Sequence, residues 1–484
     1  LRRRTASLAL ALRQHGIGRG DRVAAYLPNN PEAVIAMLAC ASLGAIWTMC
    51  SPDMGTPAVL DRFRQVAPKA LIAVDGVYYG GRQMDRSSTV SDIRDALPSV
   101  TSLFLVESGY GETGLKDIVD FEAAQSRDDA ETAAFEPEWL PFDHPLWILY
   151  SSGTTGLPKA IVHGHGGIIV ATCAGALHFD LGASYAANSF GERFHWYSAT
   201  GWVMWNIQVG GLLTGTTICL FDGSPSRTKT ETEWKSLWSF AARHGVTWFG
   251  NPELPPTPGR LQCRHLGSAV QSWGEDGRVL IGEVGELVCI RPFPSMPLCF
   301  WGDEDGERYR SSYFSKWPGI WCHGDWLQID ADGSCSISGR SDATINRHGL
   351  RMGTADIYAA VEQLPEIAES LVIDLEDGEG GSKLLMFVVP RGAKVLDQAL
   401  EVAIASAIRR SLSPRFVPDA FVSAPAIPRT LSGKKQELPI KRLFQGWAIE
   451  KVINPDVLKN PEVIPWYLER ARAWQEQTKQ STIA

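Results

Sequence analysis

A chain of 484 residues is long enough for about three domains, and 44% hydrophobic with 21% charged residues is the composition of a globular protein with a large core. A net charge of −8 gives no electrostatic footprint for nucleic acid, and no apolar run approaches the roughly 18 residues of a membrane span. Nine scattered cysteines without a Cys-x-x-Cys pair argue against a zinc site or a disulfide framework and fit a reducing, cytosolic setting.

The chain begins at Leu1 rather than Met, and LRRRTASLALALR (1–13) has the composition of a transit peptide. It reads better as a structural helix ended by Gly16 and Gly18, so the start is expected to be the interior of a domain whose beginning is absent. A strand follows at 22–27, a helix at 31–43, a short apolar piece at 45–48, a helix at 60–66 and strands at 69–74 and 102–106. This alternation predicts an α/β domain with a mainly parallel sheet. Residues 107–143 are more polar and read as loops with a helix. Leu146–Tyr150 is a buried strand, and a helix is expected from Gly167 to Asp180. Later strands are expected at 193–198, 216–221 and 246–249, with a helix at 233–244. After Glu286 the texture turns to β, with strands at 287–291, 326–329 and 334–338 and a turn at Asp330–Gly333. A smaller unit begins near Gly339, with helices at 355–364 and 396–412 and strands at 370–375 and 384–389.

The run YSSGTTGLPK (150–159) carries the most chemistry. A Gly/Ser/Thr loop between a strand and a helix wraps phosphates with backbone N–H groups and hydroxyls, and Lys159 adds a mobile positive charge. It is not a Walker A loop, because Leu157 and Pro158 separate Gly156 from the lysine. On its own the run reads first as an ordinary surface loop, which is what Gly/Ser/Thr clusters usually are.

Four further motifs follow in order: TGWVMWN (200–206), HGDW (323–326), GRSDATINRHGLR (339–351) and PRTLSGK (428–434). The series resembles the adenylate-forming acyl-CoA synthetases. RPFPSMP (291–297), the Asp342-Ala-Thr variant and the tail after Lys434 resemble the branch of that family that acts on acetoacetate. The resemblance implies an N-terminal adenylation domain over 1–340, with mainly parallel sheets and a β subdomain, and a small mobile α+β domain over 341–484. It implies an acid–thiol ligase that uses ATP, Mg2+ and CoA on acetoacetate or another small carboxylate such as acetate or propionate.

The resemblance also implies roles for single residues. Ser152, Thr154, Thr155 and Lys159 belong to the loop that holds phosphates. Asp325 would accept from the ribose hydroxyls; read alone it is a hairpin-end aspartate. Arg340 would donate to ribose or phosphate oxygens; read alone it is a surface ion pair. Asn346 and Arg351 match positions near the adenylate, Gly349 matches the wall of the pantetheine tunnel, and Asp342 matches the hinge. Gly201 and Trp202 match the acyl pocket, where a large indole favours a short acyl group. Met204 and Trp205 read as core. Lys434 is the catalytic candidate, a long ammonium that bridges the carboxylate and the α-phosphate. Lys435 reads as solvated, and His163 and His165 as loop or packing residues without metal-ligand partners.

One family motif is missing. Relatives carry a segment ending in Gly-Gly-Thr-Asp or a similar acidic sequence, which supplies adenine contacts and a Mg2+-associated acid. Here Trp248-Phe-Gly250 runs directly into NPELPPTPG (251–259), and 183–189 reads as an insertion. Losing such a segment is expected to expose core surface, leave polar groups unpaired and weaken MgATP binding. A catalytically impaired member that only binds nucleotide or CoA therefore stands beside the ligase reading.

Overall fold

The computed structural model describes residues 1–483 except 80–81, 112–113, 151–157, 183–190, 224–234, 250–259, 262, 266, 342–344, 348–349, 353, 377–381, 412–416, 431–432, 454 and 456–457, and except the side chains at 235, 338–340, 345–347, 350–352, 355–356, 376, 382, 411, 451 and 477–483.

Helix α1 (Arg2–Gln14) leads into β1 (Arg22–Tyr26), α2 (Pro31–Ser42), β2 (Ile46–Cys50), α3 (Thr56–Val66), β3 (Ala70–Val74), β4 (Ser102–Val106) and β5 (Ile118–Asp120). The chain continues through β6 (Pro145–Tyr150), β7 (Ala160–Gly164) and α4 (His165–Phe179). These strands, with β13 below, form an eight-stranded sheet in the order β13-β7-β6-β2-β1-β3-β4-β5. Strands β6 to β5 in that order run parallel. Both faces are buried, so the strands are apolar throughout rather than alternating. Val23, Ala25, Trp47 and Ile72 face α1 and α2, whereas Ala24, Tyr26, Cys50 and Leu71 face α3. Proline at the first turn of α2 and the Asn30 side chain, which accepts from Ala33 N, start that helix.

The glycine-rich run does not join a strand to a helix. Strands β6 and β7 pair antiparallel, with Trp147 opposite His163 and Tyr150 opposite Ala160. The run therefore joins two antiparallel neighbours, and α4 starts only at His165, at the opposite end of β7. The cause is the period-2 burial of Ala160–Gly164, where Ala160, Val162 and Gly164 point inward. Residues 151–157 lie outside the described residues.

Beyond α4 come β8 (Arg193–His195), α5 (Val203–Gly210), β9 (Thr217–Ile218) and β10 (Trp248–Phe249). The three strands form a small parallel sheet, β9-β8-β10. Next are β11 (Val270–Trp273), β12 (Val284–Cys289), β13 (Cys299–Phe300), α6 (Glu307–Tyr313), β14 (Trp321–Ile329) and β15 (Cys335–Arg340). Strands β11-β12-β14-β15 form an antiparallel sheet, with the Asp330–Gly333 turn joining its last two.

The C-terminal part has α7 (Thr354–Val361), β16 (Ile367–Glu376), β17 (Ser382–Pro390), α8 (Gln398–Ser411), β18 (Ala420–Ser423), α9 (Glu437–Phe444) and α10 (Ile464–Ile483). Its sheet, β16-β17-β18, is covered on one face by α7 and α8 and on the other by α9 and α10.

Two features break the pattern of a closed core. Helix α4 carries no Asp, Glu, Lys or Arg, yet Ile169, Val170, Cys173 and Leu177 along one face are exposed, Leu177 by 79%. Nearby, Phe179 of α4 packs on Trp248 of β10. Around β8, α5 and β10, several buried polar atoms have no hydrogen-bond partner among the described residues: His195 Nε2, both amide atoms of Asn206, Gln208 Oε1 and Trp248 Nε1. Native interiors rarely leave such groups unpaired.

Candidate active site

The site lies over the carboxyl ends of the parallel strands, the usual ligand position in open α/β sheets. Thr200 and Gly201 seat on these ends. The buried Thr200 Oγ1 donates to Leu27 O at 2.8 Å, just past β1. A Cβ on Gly201 would stand 3.1 Å from Met49 O and 3.6 Å from Cys50 Cα of β2, a tight fit that favours glycine at this close approach. The seat aims Trp202, the residue that caps α5, outward with 41% of its surface exposed. Trp205, by contrast, is fully buried and donates Nε1–H to Asn29 Oδ1 at 2.9 Å. The indole predicted to shape a pocket and the one predicted as core are thus separated by burial.

Lys434 reaches this place from the C-terminal part. Its Nζ lies 5.6 Å from the centre of the Trp202 ring. The turn that presents it is tight: Gly433 N donates to Thr430 O at 2.8 Å and Thr430 N to Lys434 O at 2.9 Å. Lys434 N donates to Thr430 Oγ1 at 3.0 Å, and Gly433 takes φ +84°, which glycine adopts without strain. Lys435 departs from the sequence reading. Its side chain is only 11% exposed and its Nζ is 2.6 Å from Glu362 Oε1, so it is not solvated.

Asp325 sits within β14, directly opposite Arg340 of β15, and not at a hairpin end. Its Oδ2 is 3.5 Å from His323 Nε2, and Trp321 Nε1–H donates to His323 Nδ1, which leaves the histidine proton on Nε2 facing the carboxylate. Asn346 and Arg351 are registered partners in a two-stranded hairpin, Ile345–Arg347 with Leu350–Met352. The side chains of Arg340, Asn346 and Arg351, and the whole of Ser152, Thr154, Thr155, Asp342 and Gly349, lie outside the described residues. Lys159 donates to Ser312 Oγ of α6 at 2.8 Å and stands 5.3 Å over the Phe300 ring.

Sequence reasoning missed Glu286. This buried carboxylate accepts from Gly324 N at 3.1 Å and from Ser341 Oγ at 3.0 Å, with Lys316 Nζ at 3.6 Å. It ties the residue before Asp325 to the residue before Asp342. Its only signal was a lone acid inside the apolar run Val284–Cys289. His163 and His165 are packing residues as expected: burial lowers both to about 4, helped for His165 by His144. Among the described residues no cluster of three or more His, Cys, Asp or Glu is placed to hold a metal ion.

Residues 1–254 match the family model of the AMP-binding enzymes, and 356–434 match the C-terminal domain of the same enzymes. The chain belongs to the AMP-binding enzyme family. Among AMP-binding enzymes it is 37% identical to the acetoacetyl-coenzyme A synthetase of Rhizobium meliloti, over 96% of this chain and 80% of that one. It is 34% identical to the acetoacetyl-CoA synthetase of Danio rerio over 96% and 79%. The solved acetoacetyl-CoA synthetase from Streptomyces lividans superposes with a TM-score of 0.89 at 42% identity, covering 98% of this chain and 81% of that one. An anthranilate CoA ligase solved with anthranoyl-AMP shares the fold, with a TM-score of 0.68 at 18% identity over 90% of this chain and 89% of that one. The match to the Rhizobium enzyme spans 539 positions against the 484 residues here, so at least 55 positions within the matched stretch have no counterpart in this chain.

Proposed function

We propose that the chain is an acid–thiol ligase that acts on acetoacetate. The carboxylate attacks the α-phosphorus of MgATP, giving an acyl-adenylate and pyrophosphate; the CoA thiol then attacks the acyl carbon and AMP leaves with the phosphate oxygen. The observation that carries this reading is the meeting of Lys434 with Trp202, because it brings an ammonium from the C-terminal part to the indole that this reading assigns to the acyl pocket. No protein nucleophile is needed. The residues position the reactants and neutralise charge that develops at phosphorus.

In this reading Lys434 bridges the acyl carboxylate and the α-phosphate. Asp325 accepts from the ribose hydroxyls, beside Arg340. Asn346 and Arg351 flank the adenylate, Lys159 and the hydroxyls of Ser152, Thr154 and Thr155 hold the outer phosphates, and Gly349 lines the CoA path. Gly201 and Trp202 close the acyl pocket, which suits short acids. Mg2+ travels with the ATP phosphates, the usual mode for a cation that keeps most of its water. The adenylation domain spans 1–340 and the mobile domain 341–484, with Asp342 as the hinge. Nine free cysteines support a reducing, cytosolic setting. Acetoacetyl-CoA formation from ATP, CoA and acetoacetate tests the reading. Equal or faster turnover of acetate or propionate would reassign the acid.

A second reading has its own support: a member impaired in adenylation. At least 55 positions of a relative are absent, a core-type helix face is exposed beside β10, and polar atoms around β8 and β10 have no partner among the described residues. These features agree with a lost segment at about residue 250. Thermal shift separates the two, since a ligand that binds only the folded state raises its stability. The impaired protein responds to CoA or AMP and not to MgATP; the ligase responds to all three.

A further inference from the structure

We propose that Lys435 and Arg429 are positioning residues that hold Lys434 in place for the adenylation step. This rests on the role given to Lys434 above. The two flank Lys434 as paired residues of one short hairpin, in which Arg429 lies opposite Lys435. Each arm is tied to the α7–β16 region by its own ion pair. On one side Lys435 Nζ is 2.6 Å from Glu362 Oε1, just past α7, and 3.3 Å from the ring centre of Tyr358. On the other side Arg429 Nε is 2.7 Å from Glu369 Oε1 on β16, and Arg429 Nη1 donates to Gly433 O at 2.6 Å.

The anchor on the Lys435 side is itself fixed. Glu362 Oε1 also accepts from Ser370 N at 2.8 Å and Ser370 Oγ at 2.9 Å. One carboxylate oxygen therefore joins the end of α7, the start of β16 and the Lys434 turn. Burial lowers the Lys435 pKa, and the Glu362 pairing works against that shift. A surface lysine is not held in this way. Removing one partner of such a pair leaves the other charge desolvated and unpaired, so the arrangement is sensitive to either member.

Lys434 is the one of these three cations seen over the Trp202 ring, while Lys435 lies over Tyr358 and Arg429 pairs with Glu369. The division of labour follows from reach. Lys434 is long and has many rotamers, so its ammonium finds the α-phosphate reproducibly only if its backbone is held still. Misplacement by about 1 Å costs on the order of 100-fold in rate. The anchors therefore matter for adenylation, where Lys434 acts, and not for thioester formation, where it is withdrawn.

Amide hydrogen exchange and half-reaction rates on the full chain test this in K435M, K435R, E362Q and K434A. K435M and E362Q are expected to speed exchange at the Gly433 and Lys434 amides at least tenfold while leaving Leu384–Val388 of β17 protected. K435R restores protection. In the half-reactions, K435M lowers ATP–pyrophosphate exchange at least tenfold at unchanged KM for ATP, and leaves thioester formation from supplied acyl-adenylate intact. Unchanged protection at Gly433 and Lys434, loss of protection throughout β17, or an equal fall in both half-reactions would overturn the inference. If the parent chain shows no exchange of pyrophosphate, the amide data decide alone. K434A separates the two claims: it should lower pyrophosphate exchange by about 100- to 1,000-fold with the turn still protected. Full exchange in K434A would sink the role of Lys434 and leave the anchoring result standing.

Discussion

Lys434 and Trp202 come from positions more than two hundred residues apart, and their contact turns a motif into geometry. A positioned ammonium is worth most where charge develops in a water-poor site. Lys434→Ala is therefore expected to lower ATP–pyrophosphate exchange by about 100- to 1,000-fold, the usual effect of losing one such donor, with little change in melting temperature. Asp325→Asn keeps the shape and removes the charge. It should raise the KM for ATP by about 10- to 100-fold, the equivalent of a hydrogen bond to a charged group, and a steady-state ATP titration checks it. The buried histidines give a pH signature. Burial lowers His163 and His165 from 6.5 to about 4. Between those values the unfolded chain binds more protons, so stability rises with pH and is lost as pH falls through the window. The slope is at most about 1.4 kcal/mol per pH unit for each histidine. Urea midpoints at pH 4.5, 5.5 and 7 read this directly, and His163→Gln should flatten the curve.

Among the elements, the strands of the large sheet were the most legible, because strands buried on both faces are short, continuous apolar runs between glycines and polar turns. The 102–106 strand matches to the residue. What escaped was structure made by distant pairing. Cys299–Phe300 becomes an edge strand only because β7 is there to pair with it, and Ala160–Gly164 hid its alternation behind a histidine and a glycine. The loop at 150–159 was not legible as topology, because the antiparallel pairing of β6 with β7 is not written in its own residues. Of the candidate site, the sequence offers the motif residues one at a time. It does not offer the supports: Glu286, Glu362 and Glu369 become meaningful only when folding brings their partners to them. Helix α4 makes a prediction at this scale. Leu177 looks like a core residue by type but is exposed, so Leu177→Glu should change stability by less than about 0.5 kcal/mol, as surface substitutions do, rather than the 2–5 kcal/mol of a core truncation. Binding of a hydrophobic dye should fall in the same variant; a large loss of stability would show that the face is covered.

At the scale of the whole molecule, the fold brings the C-terminal part to the strand ends of the large sheet, with the catalytic candidate at their junction. The TM-score of 0.89 to a solved acetoacetyl-CoA synthetase shows how much of that architecture is kept. The positions absent against the Rhizobium enzyme mark where it departs. The most direct measurement is acid-dependent exchange of radiolabelled pyrophosphate into ATP by the folded chain, run with acetoacetate and without it, in the parent and in Lys434→Ala. The ligase account predicts exchange that requires acetoacetate and falls by about 100- to 1,000-fold with loss of the lysine. Absence of exchange in folded parent protein, or exchange that ignores either acetoacetate or Lys434, would contradict it.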